Sequence, residues 1–153
     1  MADELRMDLD HYPLVIVHMP REGLTDDAVE KMLGTTGELF SRGGKFATLV
    51  HTRGARALAN AKQRARIAEW EKASASRLRR HRAGTALIVD SGFLRGAMTA
   101  YRWLAPADQP ELVTASELEG ARFCLDCLER AGAPELTPAR RYVRQLEETR
   151  RGA

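Results

Sequence analysis

Residues 84–104 read GTALIVDSGFLRGAMTAYRWL. Thr85-Ala86-Leu87-Ile88-Val89 is a short uncharged run ending in two β-branched aliphatics, the pattern of a strand buried on both faces. Asp90-Ser91-Gly92 then interrupts it with small polar residues able to cap a following helix. Leu94, Ala97, Met98, Tyr101 and Leu104 recur at three- and four-residue steps, the apolar stripe of an amphipathic helix. Gly92, Gly96 and Ala100 form a second stripe of small residues that lets this helix approach a neighbour. The unit is strand, tight polar turn, helix. In α/β proteins ligands and partners are met at the carboxyl end of such a strand, which makes the Asp90-Ser91 turn the first place to look for function.

The same grammar extends in both directions. Leu14-Val15-Ile16-Val17, between Pro13 and Pro20, reads as a strand. Thr25-Asp26-Asp27 reads as a helix start whose inner face carries Ala28, Val29, Met32, Leu33, Leu39 and Phe40, stopped by Gly43-Gly44. Phe46–Val50 is a second strand. Residues 55–82 contain no Gly or Pro and predict one helix of about 25 residues, roughly 37 Å long. After Gly84–Leu104 come a short strand at Leu112-Val113-Thr114 and a helix opened by Ser116 and Glu119 in capping-box spacing. That helix buries Leu118, Ala121, Cys124, Leu125 and Leu128 and stops at Gly132 and Pro134. The order β-α-β-α-β-α-β-α predicts an α/β layer with a largely parallel sheet. Thr137–Ala153, with only Tyr142, Val143 and Leu146 as large apolar residues, reads as a docked helix or a frayed tail. With so few anchors it is expected to be protease-sensitive and dispensable for folding.

A chain of 153 residues, 44% hydrophobic and 29% charged, suits one domain with a substantial core. Its apolar runs fall well short of the ~20 residues that span a bilayer. The opening MADELRMDLD lacks the basic and apolar regions of a signal peptide, so a cytoplasmic location is expected. Charge is unevenly spread: residues 51–82 hold ten Lys/Arg against Glu69 and Glu71 alone, whereas residues 1–50 and 83–136 are each acidic. Such a stretch suits an acidic partner or nucleic acid, or is simply a solvated helix face.

Several motifs together resemble a family. Tyr12-Pro13-Leu14-Val15-Ile16-Val17, Arg53-Gly54-Ala55-Arg56 and Arg66 to Trp70 are similar to SpoIIAA-like bacterial proteins, which are grouped near the STAS fold and described as STAS/SEC14-like. Gly84–Val89, Leu94-Arg95-Gly96 and Trp103-Leu104 extend the resemblance, which covers roughly residues 10–131. It implies a single sheet of four or five mostly parallel strands flanked by helices, working through protein contacts. Residues 1–134 would then form the SpoIIAA-like domain and 135–153 a basic C-terminal helix or tail. Two departures stand out. Where anti-sigma-factor antagonists carry a phosphorylatable serine, only Thr52 could accept a phosphate here. Where many of these proteins have a Trp in the last domain helix, this chain has Phe123-Cys124-Leu125.

The candidate sites divide by chemistry. Cys124-Leu125-Asp126-Cys127 has redox spacing but falls mid-helix with no second CxxC or His pair, which favours core packing over metal. His18 and His51 each follow an apolar strand and so flank one end of a parallel sheet, but no Ser or Cys is placed for activation. No phosphate-cradling Gly-rich loop occurs and no cofactor is implied. The arginine-rich stretch lacks the aromatics that stack on bases, which argues against nucleic acid. The expected function is a non-enzymatic protein-interaction module in a bacterial regulatory or signalling assembly. Its contact surface is expected to join Thr52, Arg53 and Arg56 to Asp90, Ser91 and Arg95, where outward-pointing arginines suit an acidic protein partner; a homodimer is compatible. The alternative is a small-ligand or lipid carrier of SEC14-like type, ranked lower because so small a chain has little room for an acyl chain. A third is an enzyme using His18, His51 or Asp90.

Overall fold

A computed structural model describes residues 4–52, 55, 59–104 and 109–152 of the chain. Among them are the strands β1 (Arg6–Asp8), β2 (Leu14–His18), β3 (Phe46–His51), β4 (Arg82–Ile88) and β5 (Glu111–Thr114). The helices are α1 (Asp26–Phe40), α2 (Ala61–Ala73), α3 (Ala75–His81), α4 (Gly92–Leu104), α5 (Glu117–Arg130) and α6 (Thr137–Arg151). The strands form one sheet in the order β1-β2-β3-β4-β5, with β1 antiparallel to β2 and the other pairs parallel. The expected α/β architecture is therefore present. Strand β1 is an addition to the sequence reading.

Alternation along each strand sorts its side chains to two faces. Leu14, Ile16, Ala47, Leu49, Ala86 and Ile88 point to one face and pack against Leu118, Ala121, Cys124 and Leu128 of α5 and against Ala139 and Val143 of α6. On the other face Val15 and Phe46 pack with Leu39 and Phe40 of α1 and Leu78 of α3, and Trp70 of α2 stacks on Phe40 at 6.0 Å. The two sides are sealed differently. Ala86, Ile88 and Val89 are buried, but Val50, Leu87 and Val113, on the α4 side, are only half-buried. The run at 85–89 is thus not buried equally on both faces.

Helix α5 lies unusually close to the sheet. A Cβ on Gly120 would fall 2.5 Å from Ile88 Cδ1 and 3.0 Å from Leu49 Cδ1, and one on Gly84 would fall 2.6 Å from Cys127 Sγ. A side chain at either position would force its neighbours to shift. Both cysteines belong to this layer. Burial pushes the Cys124 thiol up to about 12, with Cys127 adding to the effect, and burial followed by Asp126 raises Cys127. Such thiols are inert packing atoms.

Three boundaries differ from expectation. The single helix over 55–82 is replaced by α2 and α3, which meet at buried Ser74, and β4 starts at Arg82. Helix α2 opens at Asn60, where Asn60 and Gln63 exchange side-chain-to-backbone hydrogen bonds in a capping box. Gln63 also donates to the Leu24 carbonyl at 2.8 Å, tying α2 to the start of α1. The C-terminal segment takes the first of its two expected forms, a docked helix: Leu136, Ala139 and Val143 are buried in the same core as α5 and the sheet, which counts against its being dispensable.

Candidate functional site at the carboxyl rim of the sheet

Strands β2, β3, β4 and β5 all end on one rim, which carries His18, His51-Thr52, Asp90-Ser91 and, through Ser116, the start of α5. The turn after β4 is built as the sequence predicts. Ser91 Oγ accepts the Leu94 N–H at 3.2 Å and caps α4. Asp90, Ser91 and Gly92 are exposed. Beside them Phe93, at 84% exposure, is the exposed large hydrophobic side chain among the described residues.

The other expected contact residues lie differently. Thr52 is 5% exposed, and both its N–H, at 3.1 Å, and its hydroxyl bond the Ile88 carbonyl. It braces β3 against β4 and is in no position to meet a partner or accept a phosphate. Arg95 does not point outward. Its Nη1 folds back to the Val89 and Asp90 carbonyls, both at 2.7 Å, completing the hydrogen bonding of the strand end. Arg53 and Arg56 lie outside the described residues. Of the residues expected to form the surface, Asp90 and Ser91 are open to a partner where they stand.

Much of the basic charge on the helices behind the rim is engaged within the fold. Arg66 makes a two-pronged pair with Glu30 at 2.8 and 2.9 Å, which holds the Glu30 carboxyl below its ordinary range. Arg82 reaches Gln109 at 2.9 Å and Glu71 at 3.4 Å, and Arg77 lies over the Phe40 ring. These contacts favour the reading of a solvated, partly self-paired helix face.

The α5/α6 side of the rim holds a constellation the sequence indicated only in part. His18 and His51 are direct register partners on β2 and β3, and their rings stack with centroids 5.3 Å apart. His51 Nε2 lies 3.2 Å from Glu117 Oε1, the same oxygen that accepts the Tyr142 hydroxyl at 2.7 Å. The Tyr142 ring in turn lies 4.8 Å from that of His11. Burial, then Arg6 and then His51 push the His18 pKa down, against weaker upward pulls from Asp8 and Glu117. Burial and the Glu117 carboxylate push the Tyr142 hydroxyl up, so it stays a donor. The strands place the histidines and the first turn of α5 places Glu117. Tyr142 was legible only as an apolar anchor, because nothing in the sequence says which residue α6 sets against α5. Among the described residues no group of three His, Cys, Asp or Glu side chains is arranged to hold a metal ion. None of the helices in the described residues is long and apolar enough to cross a membrane.

Comparison with protein-family models, with curated proteins and with solved structures finds no match to this chain.

Proposed function

We propose that this chain is a non-enzymatic interaction module of SpoIIAA-like, STAS-related type, working in a bacterial regulatory or signalling assembly and binding a protein partner at the carboxyl rim. The observation that carries the reading is the exposure of Phe93 beside the open Asp90-Ser91 turn. A phenylalanine in water gains about 1.5–3 kcal/mol when a partner covers it, and aromatic side chains are enriched where protein surfaces meet. Its neighbours supply a polar border: the Asp90 carboxylate is exposed, while Arg95 is held on the backbone behind it. Close contact of α5 with the sheet at Gly84 and Gly120 favours this reading over the carrier alternative.

The test compares wild type with Phe93→Asp. Equal thermal melts are expected, since a side chain this exposed contributes little to folding. Immobilised wild type should retain from a bacterial lysate a partner, measured by quantitative mass spectrometry, that Phe93→Asp does not. Sedimentation of both proteins shows whether that partner is a second copy of the chain. Identical retention and identical sedimentation of the two proteins would exclude Phe93 as the anchor.

A further inference from the structure

The amino-terminal ends of β2, β3 and β4 carry a strip of positive charge built from two segments. Arg42 and Lys45 come from the turn after α1, and Arg77 and Arg80 from one flank of α3, whose Leu78 and His81 are buried. The segments are locked together: Lys45 Nζ donates to the Arg80 carbonyl, and His81 Nδ1 lies 3.0 Å from the Gly44 carbonyl oxygen. Two of the guanidinium groups sit over aromatic rings, Arg42 at 4.7 Å from the centre of Tyr12 and Arg77 at 5.4 Å from that of Phe40. A ring holds a guanidinium in place without cancelling its charge. Carboxylates do not cancel it either, since among the described residues none of the four cations forms an ion pair. Glu69 and Glu71 of α2 go to Arg66 and Arg82, and Asp8 accepts the Asp10 N–H. Asp10 and Glu38, on the flanking segments, pair with none of the four. Arg42, Arg77 and Arg80 are exposed and Lys45 is half-buried.

We infer that this strip docks an acidic protein segment, a short run of Asp and Glu residues on a partner. Tyr12 precedes β2, Lys45 precedes β3 and Arg80 precedes β4, so the strip crosses two strand spacings, about 10 Å. That is long for one small anion and matches about three residues of extended chain at roughly 3.3 Å each. The planar fork of arginine suits carboxylates, and guanidinium groups already held in place lose less freedom on binding. Nucleic acid fits less well. Arginines cover the Tyr12 and Phe40 rings, and Phe40 also stacks on Trp70, so these rings are not free to take a base. Helix α3 has only seven residues, with Leu78 and His81 turned inward, and offers no free helix to a duplex groove. The strip lies at the opposite end of the strands from Phe93, so it stands whether or not Phe93 anchors a partner.

The test is fluorescence anisotropy of a fluorescein-labelled hexaglutamate peptide with the full chain at low ionic strength. Wild type should bind it, and added salt should weaken the binding steeply. Arg42→Gln/Arg80→Gln removes one cation from each segment and should weaken binding by about fivefold or more. Arg141→Gln/Arg144→Gln removes the same charge from exposed positions on α6, across the sheet, and should change it by less than about twofold. Melts of both variants should match wild type, because all the substituted side chains are exposed. If the first variant melts lower, Arg80→Gln alone carries the comparison. No binding by wild type, or equal losses in the two variants, would overturn the proposal, the second outcome being general attraction to a basic protein. Tighter binding of a duplex DNA oligonucleotide of equal charge, lost in Arg42→Gln/Arg80→Gln, would overturn it in favour of nucleic acid.

Discussion

Replacing Gly120 by Ala separates local helix preference from packing. In an isolated helix the change is favourable by about 1 kcal/mol, and the buried methyl group adds up to about 0.8 kcal/mol. Against this stands the geometry of α5 on the sheet. The new Cβ would sit 2.5 Å from Ile88 Cδ1 and 3.0 Å from Leu49 Cδ1, with Ala86 Cβ at 3.5 Å closing the third side. Carbon atoms rest at about 3.5–4.0 Å, so Ile88 must leave its rotamer or α5 must lift by about 1 Å. Overpacking of this kind typically costs 1–3 kcal/mol, and here there is a wall on each side of the first clash. The net expectation is destabilisation by about 1–2 kcal/mol despite the better helix former, a fall in Tm of roughly 3–8 °C for a chain of this size. Ile88→Val removes the clashing Cδ1. On its own it should cost about 0.5–1.5 kcal/mol, whereas in the Gly120→Ala background it should restore stability. Urea melts of the four proteins measure the coupling. Additive effects, or a stabilised Gly120→Ala, would refute the reasoning, because either would mean that α5 does not rest on Ile88 through Gly120.

Two further expectations concern Arg95 and helix α6. Arg95→Ala should lower stability by about 1–2 kcal/mol by leaving the Val89 and Asp90 carbonyls without their cationic donor. An unchanged thermal melt would return Arg95 to the list of free contact residues. Ending the chain after Leu136 removes Ala139, Tyr142, Val143 and Leu146 from the core that α5 and the sheet share, and should abolish the cooperative melt seen by circular dichroism. A truncated protein that still unfolds in one sharp transition would show that α6 is peripheral.

The sequence carries most of the fold because its buried strands are short apolar runs and its helices have caps. Leu14–Val17, Phe46–Val50 and Ala86–Val89 needed no tertiary context, and Thr25, Ser91 and Ser116 each cap the helix they precede. At Ser116 half the capping box is replaced: its N–H goes to Thr114 Oγ1 rather than to Glu119. The misses have physical causes. Strand β1 is only Arg-Met-Asp, too short and too polar to register, and exists because it pairs with β2. The break at Ser74 has no Gly or Pro to announce it, and the helix start at Asn60 is set by a capping box with Gln63 inside a stretch free of helix breakers. Helix α6 stayed undecided between docked helix and frayed tail because Ala139, Val143 and Leu146 form a narrow stripe of modest residues among arginines.

The rim shows where local reading stops. Ser91 was legible as a cap because its partner is three residues away, a relation the sequence contains. Thr52 and Arg95 were read as surface because a threonine or arginine in a turn ordinarily points outward. Both instead serve the carbonyls at the end of β4, Thr52 from the neighbouring strand and Arg95 from the helix that follows. The carboxyl ends of parallel strands leave such acceptors open, so the fold itself recruits the nearest polar side chains before any partner can. Phe93, on the α4 side, has no polar atom to give the backbone and stays exposed. Which side chains at this rim stay open follows from which ones folding has used, and that is a tertiary fact the sequence does not contain.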